Sequence, residues 1–230
     1  MAAFTDNVII ITGASEGIGL ALSLAFAGAG AKLVLAARDA GRLNEAAGRC
    51  RSLGAEVLAV EGTYDQAFDL CLAAADEFGW FNRSTGINPY TREGKKICAW
   101  EIWASLDGRV PDRVVVPTGD GNLLSAMWKG WRELKAVGLI DRLPKIDCAQ
   151  SSGSAAISRT VHRLRNSEST KVQWFEVYVE TVNARTVADS ISVDRPRDGL
   201  AAVQAIIESG GEATAVPDAD ILAPIPEMAS

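Results

Sequence analysis

Two glycine turns carry the candidate chemistry of this sequence. One is Gly13-Ala14-Ser15-Glu16-Gly17-Ile18-Gly19, the other Thr118-Gly119-Asp120-Gly121-Asn122. Each follows a β-branched run and opens a stretch of helical periodicity. In the first, Gly13 turns the chain sharply, Gly17 allows a diphosphate to approach, and Gly19 lets the helix pack against the strand. A helix start adds free N–H groups and a partial positive charge. In the second, Gly119 and Gly121 permit torsions that aim successive N–H groups into one concavity. Asn122 stands where it can cap the helix. Asp120 opposes an anion unless its side chain turns outward. The expected binding residues are therefore Gly13, Ser15, Gly17, Ile18 and Gly19 in one set, and Gly119, Asp120, Gly121 and Asn122 in the other. The expected ligand is a phosphate-bearing small molecule.

No catalytic or metal-binding group joins them. His162 is the only histidine and reads as a residue on a helix surface. Ser125, Ser151 and Ser152 have no histidine at a usable spacing, which argues against a serine hydrolase. Cys50, Cys71, Cys98 and Cys148 are too far apart for a metal knuckle and fit a reduced, cytoplasmic setting.

The elements that position these turns alternate. Strands are predicted at Asn7–Thr12, Lys32–Ala37, Glu56–Val60, Arg113–Val116, Lys145–Ala149 and Glu212–Val216. Helices are predicted at Gly17–Ala29, Ala40–Leu53, Tyr64–Phe78, Thr91–Leu106, Asn122–Val137, Ser154–Leu164 and Gly199–Ser209. This rhythm argues an α/β fold of parallel sheets with flanking helices, in Rossmann-like three-layer lobes. Val172–Val182, rich in valine and aromatics, breaks the rhythm and reads as a long strand or hairpin arm. Trp100, Trp103, Trp128 and Trp131 fall at three-residue intervals on two helices and read as core. A seam near Asn88-Pro89 divides the chain into 1–90 and 91–230.

The chain has 230 residues and a formal net charge of −6. That charge speaks against a broad nucleic-acid surface. No apolar run is long enough to span a bilayer. The sequence leaves the oligomeric state open.

With Thr12, the first turn resembles the opening Thr-Gly-x-x-x-Gly-x-Gly of the short-chain dehydrogenase/reductase family, over roughly residues 7–60. The resemblance implies a dinucleotide, and Arg38 after the second strand implies NADP. The family's Tyr-x-x-x-Lys pair is missing: Phe68, Gly94 and Val182 stand four residues after Tyr64, Tyr90 and Tyr178. Without that lysine, no phenol is tuned for proton transfer.

From about Gly54 onward the chain resembles threonine synthase, of the tryptophan-synthase-β-like class of pyridoxal-phosphate enzymes. The matching stretches include Gly54–Asp65, Gly86–Lys96, Val114–Leu134, Gly138–Lys145, Gly153–Ile157 and Asn183–Val193. The resemblance implies that Gly119–Asn122 holds the phosphate of pyridoxal phosphate. The class anchors that cofactor on a lysine in a Ser-x-Lys-like motif. None of Lys32, Lys95, Lys96, Lys129, Lys135, Lys145 and Lys171 sits in one.

Three readings follow. The first is a threonine-synthase-like chain, lyase by resemblance, carrying a dehydrogenase-like βαβ graft. It binds a phosphate ligand and is catalytically impaired. The second is an NADP-dependent oxidoreductase. The third is a designed or recombinant scaffold without a ligand.

Overall fold

The computed structural model describes residues 3–5, 7–37, 39–61, 64–167 and 172–228. The chain divides into two compact units, Met1–Asn82 and Arg83–Ser230. Each holds a three-stranded parallel sheet with helices packed on it, so the α/β class expected from the alternation is the one observed.

In the first unit the strands are β1 (Val8–Thr12), β2 (Lys32–Ala37) and β3 (Val57–Glu61), in that order across the sheet. The β-branched run Val8–Ile11 favours the pleated conformation, and Ile11 pairs with Leu35 of β2. The helices are α1 (Gly17–Gly28), α2 (Ala40–Ser52) and α3 (Tyr64–Phe78). Asp39 starts α2 by accepting from the Arg42 N–H at 3.0 Å. Leu33, Leu35, Leu43, Ala47 and Cys50 form a core with Ile11 and Ala27.

In the second unit β5 (Lys145–Ser151) runs between β4 (Arg113–Pro117) and β6 (Ala213–Val216). Helix α6 (Asn122–Ala136) follows β4, α7 (Ala156–Arg165) follows β5, and α8 (Gly199–Ser209) precedes β6. Their apolar faces meet over Trp131, Leu124, Ile146, Ile157, Val161, Val203 and Ile206. Trp128 and Trp131 are buried in the core and Trp103 packs against it half-buried, but Trp100 is exposed, so the expectation of a tryptophan core holds fully only on α6. Short helices α9 (Asp218–Leu222) and α10 (Ile225–Met228) close the described chain. Among the described residues no helix is long and apolar enough to cross a membrane.

Two sequence expectations change. The run Thr91–Leu106 is two helices, α4 (Pro89–Lys95) and α5 (Ile97–Ser105). Asn88 starts α4 one turn early by accepting from the Tyr90 N–H, with Pro89 at the first position. The break at Lys96 redirects α5 along α6, where the Trp100 indole N–H donates to the Gly130 carbonyl at 3.2 Å. Val172–Val182 forms no strand; it holds only a 3-10 turn at Trp174–Glu176. Its anchors are side chains rather than a ladder. Arg163 lies 4.0 Å from the centroid of the Tyr178 ring, and the Glu180 N–H donates to the Thr160 hydroxyl.

Gly19 shows how tightly the first unit closes. A β-carbon there would lie 2.2 Å from the Gly13 carbonyl oxygen, a backbone atom that cannot swing aside. Gly19→Ala is expected to cost the first unit about 1–3 kcal/mol, the range for overpacking. A urea titration followed by amide exchange at Ile9–Ile11 reads this loss. Unchanged exchange would show that the turn can shift to admit a methyl group.

Candidate functional site

In parallel α/β sheets, ligands collect outside the carboxyl ends of the strands. In the second unit that end is built from three pieces. Thr118–Gly121 leaves β4, the 3-10 turn Ser152–Ser154 leaves β5, and Pro217-Asp218 leaves β6. The segment between α7 and α8 crosses this end and is fastened at several points.

Gly121 takes the N-cap position of α6 at φ 85, and no side chain caps the helix. A non-glycine residue is strained there, and an added β-carbon would sit 2.8 Å from the Ala202 β-carbon. The same modification at Gly119 would meet the Ile191 α-carbon at 3.1 Å. Both glycines are thus required by the chain's own packing. The expectation that Asn122 caps α6 is overturned. With Gly121 at the cap, Asn122 becomes the first helical residue. Its amide nitrogen donates to an Asp198 carboxylate oxygen and, at 3.5 Å, to the Thr91 hydroxyl. Asn122 is 3% exposed, and its carboxamide oxygen is buried with no partner among the described residues. The Asp120 carboxylate accepts from the Arg197 N–H at 3.1 Å.

Around this loop the segment is held by Ser154 and Asp218. The Val193 N–H donates to the Ser154 hydroxyl, which donates in turn to main-chain oxygen. Asp218 accepts from the Thr186 hydroxyl at 2.6 Å, the Ser151 hydroxyl at 2.9 Å and the Val187 N–H at 3.0 Å. These donors, Thr186 foremost, hold its carboxyl below the ordinary carboxylate value. No letter pattern announced this acid, because its partners come from two other parts of the chain.

The lysines of this unit stand elsewhere. Lys96 and Lys129 are ion-paired with Glu93 and Glu133, between α4 and α6. Lys135 ends α6, and Lys145 begins β5, both at the far end of their elements from the loop. Lys95 is exposed at the end of α4, and Lys171 lies outside the described residues. His162 packs its ring nitrogen 2.9 Å from the Ala213 carbonyl, a contact to the sheet rather than to the loop. Among the described residues no His, Cys, Asp and Glu group is placed to hold a metal. Cys148, buried beneath the loop in β5, has its thiol pushed up to about 11 by burial.

The first glycine turn lies in the other unit. Gly13 and Gly17 both take positive φ, at 67 and 55. Helix α1 begins after Glu16 without a side-chain cap. Ile18 is 82% exposed, so it packs against nothing in its unit. Ser15 is half-buried beside the turn. The Glu16 carboxylate accepts from Arg42, which also pairs with Asp39. Arg42 is thus already paired with two carboxylates. Arg38, the residue expected to choose NADP, lies outside the described residues.

A family model described as pyridoxal-phosphate dependent enzyme matches residues 4–230. Threonine synthase of Methanocaldococcus jannaschii is 35% identical over 169 residues, covering 74% of this chain and 39% of the relative. That of Methanosarcina acetivorans is 35% identical over 178 residues, covering 76% and 41%. The chain thus spans about two fifths of the length of these curated relatives. Among solved structures, the processed form of threonine deaminase isoform 2 from Solanum lycopersicum superposes with a TM-score of 0.60 at 20% identity, over 92% of this chain and 55% of the other. Maize serine racemase gives 0.56 at 15%, over 94% and 60%. The family match begins at residue 4 and so runs through Gly13–Gly19. The dehydrogenase resemblance of residues 7–60, and NADP with it, gains no support. Both families build a strand, turn, helix and strand there, and the glycine pattern reports that local geometry alone.

The depressed carboxyl of Asp218 fixes a pH dependence. Its contribution is complete above the unfolded value, about 3.9, and is lost as pH falls through the lower folded value. The melting temperature of the native chain should therefore drop more steeply with acid than that of Asp218→Asn. Parallel curves would mean that the three hydrogen bonds do not favour the ionised form.

Proposed function

We infer, from the chain's membership of the pyridoxal-phosphate dependent enzyme family, that it is a threonine-synthase-like chain that holds the cofactor's phosphate in Gly119–Asn122. The observation that carries this reading is the uncapped start of a 15-residue helix behind that loop, at the carboxyl end of a parallel sheet. First-turn N–H groups without a side-chain cap are natural phosphate donors, and the helix dipole favours the same charge. When bound, pyridoxal phosphate supplies an electron sink for carbanion chemistry.

The described residues fit the phosphate half of the cofactor, and no described lysine is seen to contact the loop. Lys96 and Lys129 are tied up in ion pairs, and Lys135 is about 20 Å along α6 from Asn122 at 1.5 Å per residue. On this reading the chain binds the cofactor non-covalently, the phosphate loop orients it, and turnover is impaired. The activity in the relatives' names extends to this chain only as far as that loop.

Inorganic phosphate and pyridoxal phosphate should each raise the melting temperature, and pyridoxal should not. A ligand at ten times its dissociation constant adds about 1.4 kcal/mol. Absence of protection by either anion would favour a scaffold without ligand. Borohydride reduction with pyridoxal phosphate, followed by peptide mapping, should label exposed lysines substoichiometrically. One lysine labelled to completion would overturn non-covalent binding.

A further inference from the structure

Asp120 sets an apparent contradiction inside an anion site. A carboxylate in a phosphate loop should weaken binding by simple repulsion, and its removal should then tighten it. The geometry points to the opposite: we propose that Asp120 is the positioning residue that gives the phosphate loop its shape. This rests on Gly119–Asn122 being the phosphate site.

Three bonds close a ring between the loop and the start of α8. The Asp120 carboxylate accepts from the Arg197 N–H at 3.1 Å. The Asp120 carbonyl accepts from the Asp198 N–H at 3.0 Å. The Asp198 carboxylate then accepts from the Asn122 side chain. The partners lie 77 and 76 residues apart in sequence, so no local turn preference produces the arrangement. Packing holds the same segment from both sides. A β-carbon on Gly121 would lie 3.0 Å from the Asp198 carbonyl oxygen, and one on Gly86 would lie 2.5 Å from the Arg197 β-carbon. Residues 197 and 198 thus sit in a slot between Gly86 and the phosphate loop.

The carboxylate is spent on a main-chain donor. Removing it leaves the Arg197 N–H without that acceptor, a costly outcome for a partly buried donor. The loop then loses the bond that fixes the plane of residue 120, and with it the convergence of the N–H groups that follow. With the charge spent on that donor, shape outweighs repulsion at this residue, and substitutions separate the two. Asp120→Asn removes the charge and keeps an oxygen acceptor. Asp120→Ala removes both.

The test combines amide exchange on the ligand-free chain with titration by inorganic phosphate. The informative amides are Asp198, bonded to the Asp120 carbonyl, and Ser125, bonded to the Gly121 carbonyl in the first turn of α6. Neither donates to the Asp120 side chain, so a purely local contact would leave them unmoved. Asp120→Ala is expected to speed both at least tenfold and to weaken phosphate at least fivefold. Asp120→Asn is expected to leave both within threefold. Unmoved amides in Asp120→Ala would overturn the proposal. So would phosphate binding several-fold tighter in either variant. If Asp120→Ala does not fold, Asp120→Asn decides alone, since it tests repulsion with the acceptor retained. If the amides respond as expected but the native chain shows no affinity for phosphate, the clamp stands and the cofactor site falls.

Discussion

The stretch Ile191–Asp198 lies so close to the loop after β4 that β-carbons on Gly119 and Gly121 would collide with it or with the helix that follows. The rest of the second unit is arranged around that contact. Ser154, at the end of β5, binds the Val193 main chain on the other flank. Asp218, beyond β6, binds the Thr186–Val187 stretch a little upstream. The carboxyl ends of all three strands are thus anchored to described stretches of the segment between α7 and α8. Backbone also meets backbone after β5, where a β-carbon on Gly153 would lie 1.9 Å from the Arg185 carbonyl oxygen, and the polar side chains of Ser154 and Asp218 hold the neighbouring stretches.

The two glycine turns share local physics and differ in what the surrounding chain does to them. In the first, Gly19 admits the Gly13 carbonyl, and the nearby acid Glu16 is matched by Arg42. That turn is closed by its own unit. In the second, the chain approaches from far away in sequence; both helix starts lack a side-chain cap. A buried polar atom without a partner is uncommon in a folded protein, and the Asn122 carboxamide oxygen at this spot is one such atom among the described residues.

Much of the architecture was legible because it is periodic. The run Val8–Ile11, the stripe that buries Leu124, Trp128 and Trp131, and the glycines that end strands all act over a few residues, and each forms the expected element. The failures are non-local. Val172–Val182 has the composition of a strand, but its backbone groups are met by Arg163 and Thr160 side chains from α7. Asn122 looked like a cap, and only the left-handed Gly121 before it moves it into the helix. Asp120 looked like a liability because its partner, the Arg197 main chain, carries no side-chain signature at all. The family membership of the first unit was obscured for a related reason: a glycine pattern encodes a turn, and unrelated enzymes use the same turn.

Among its described residues the span between α7 and α8 holds only two 3-10 turns, and fastenings of it lie 31, 39 and 77 residues distant along the chain, at Asp218, Ser154 and Asp120. Such contacts cannot form before the loops they close have been gathered, and that entropy is recovered only when β4, β5 and β6 are already side by side. The helices and strands have local reasons to exist early. The shape of the loop after β4 therefore depends on contacts distant in sequence, and not on the residues of the loop alone.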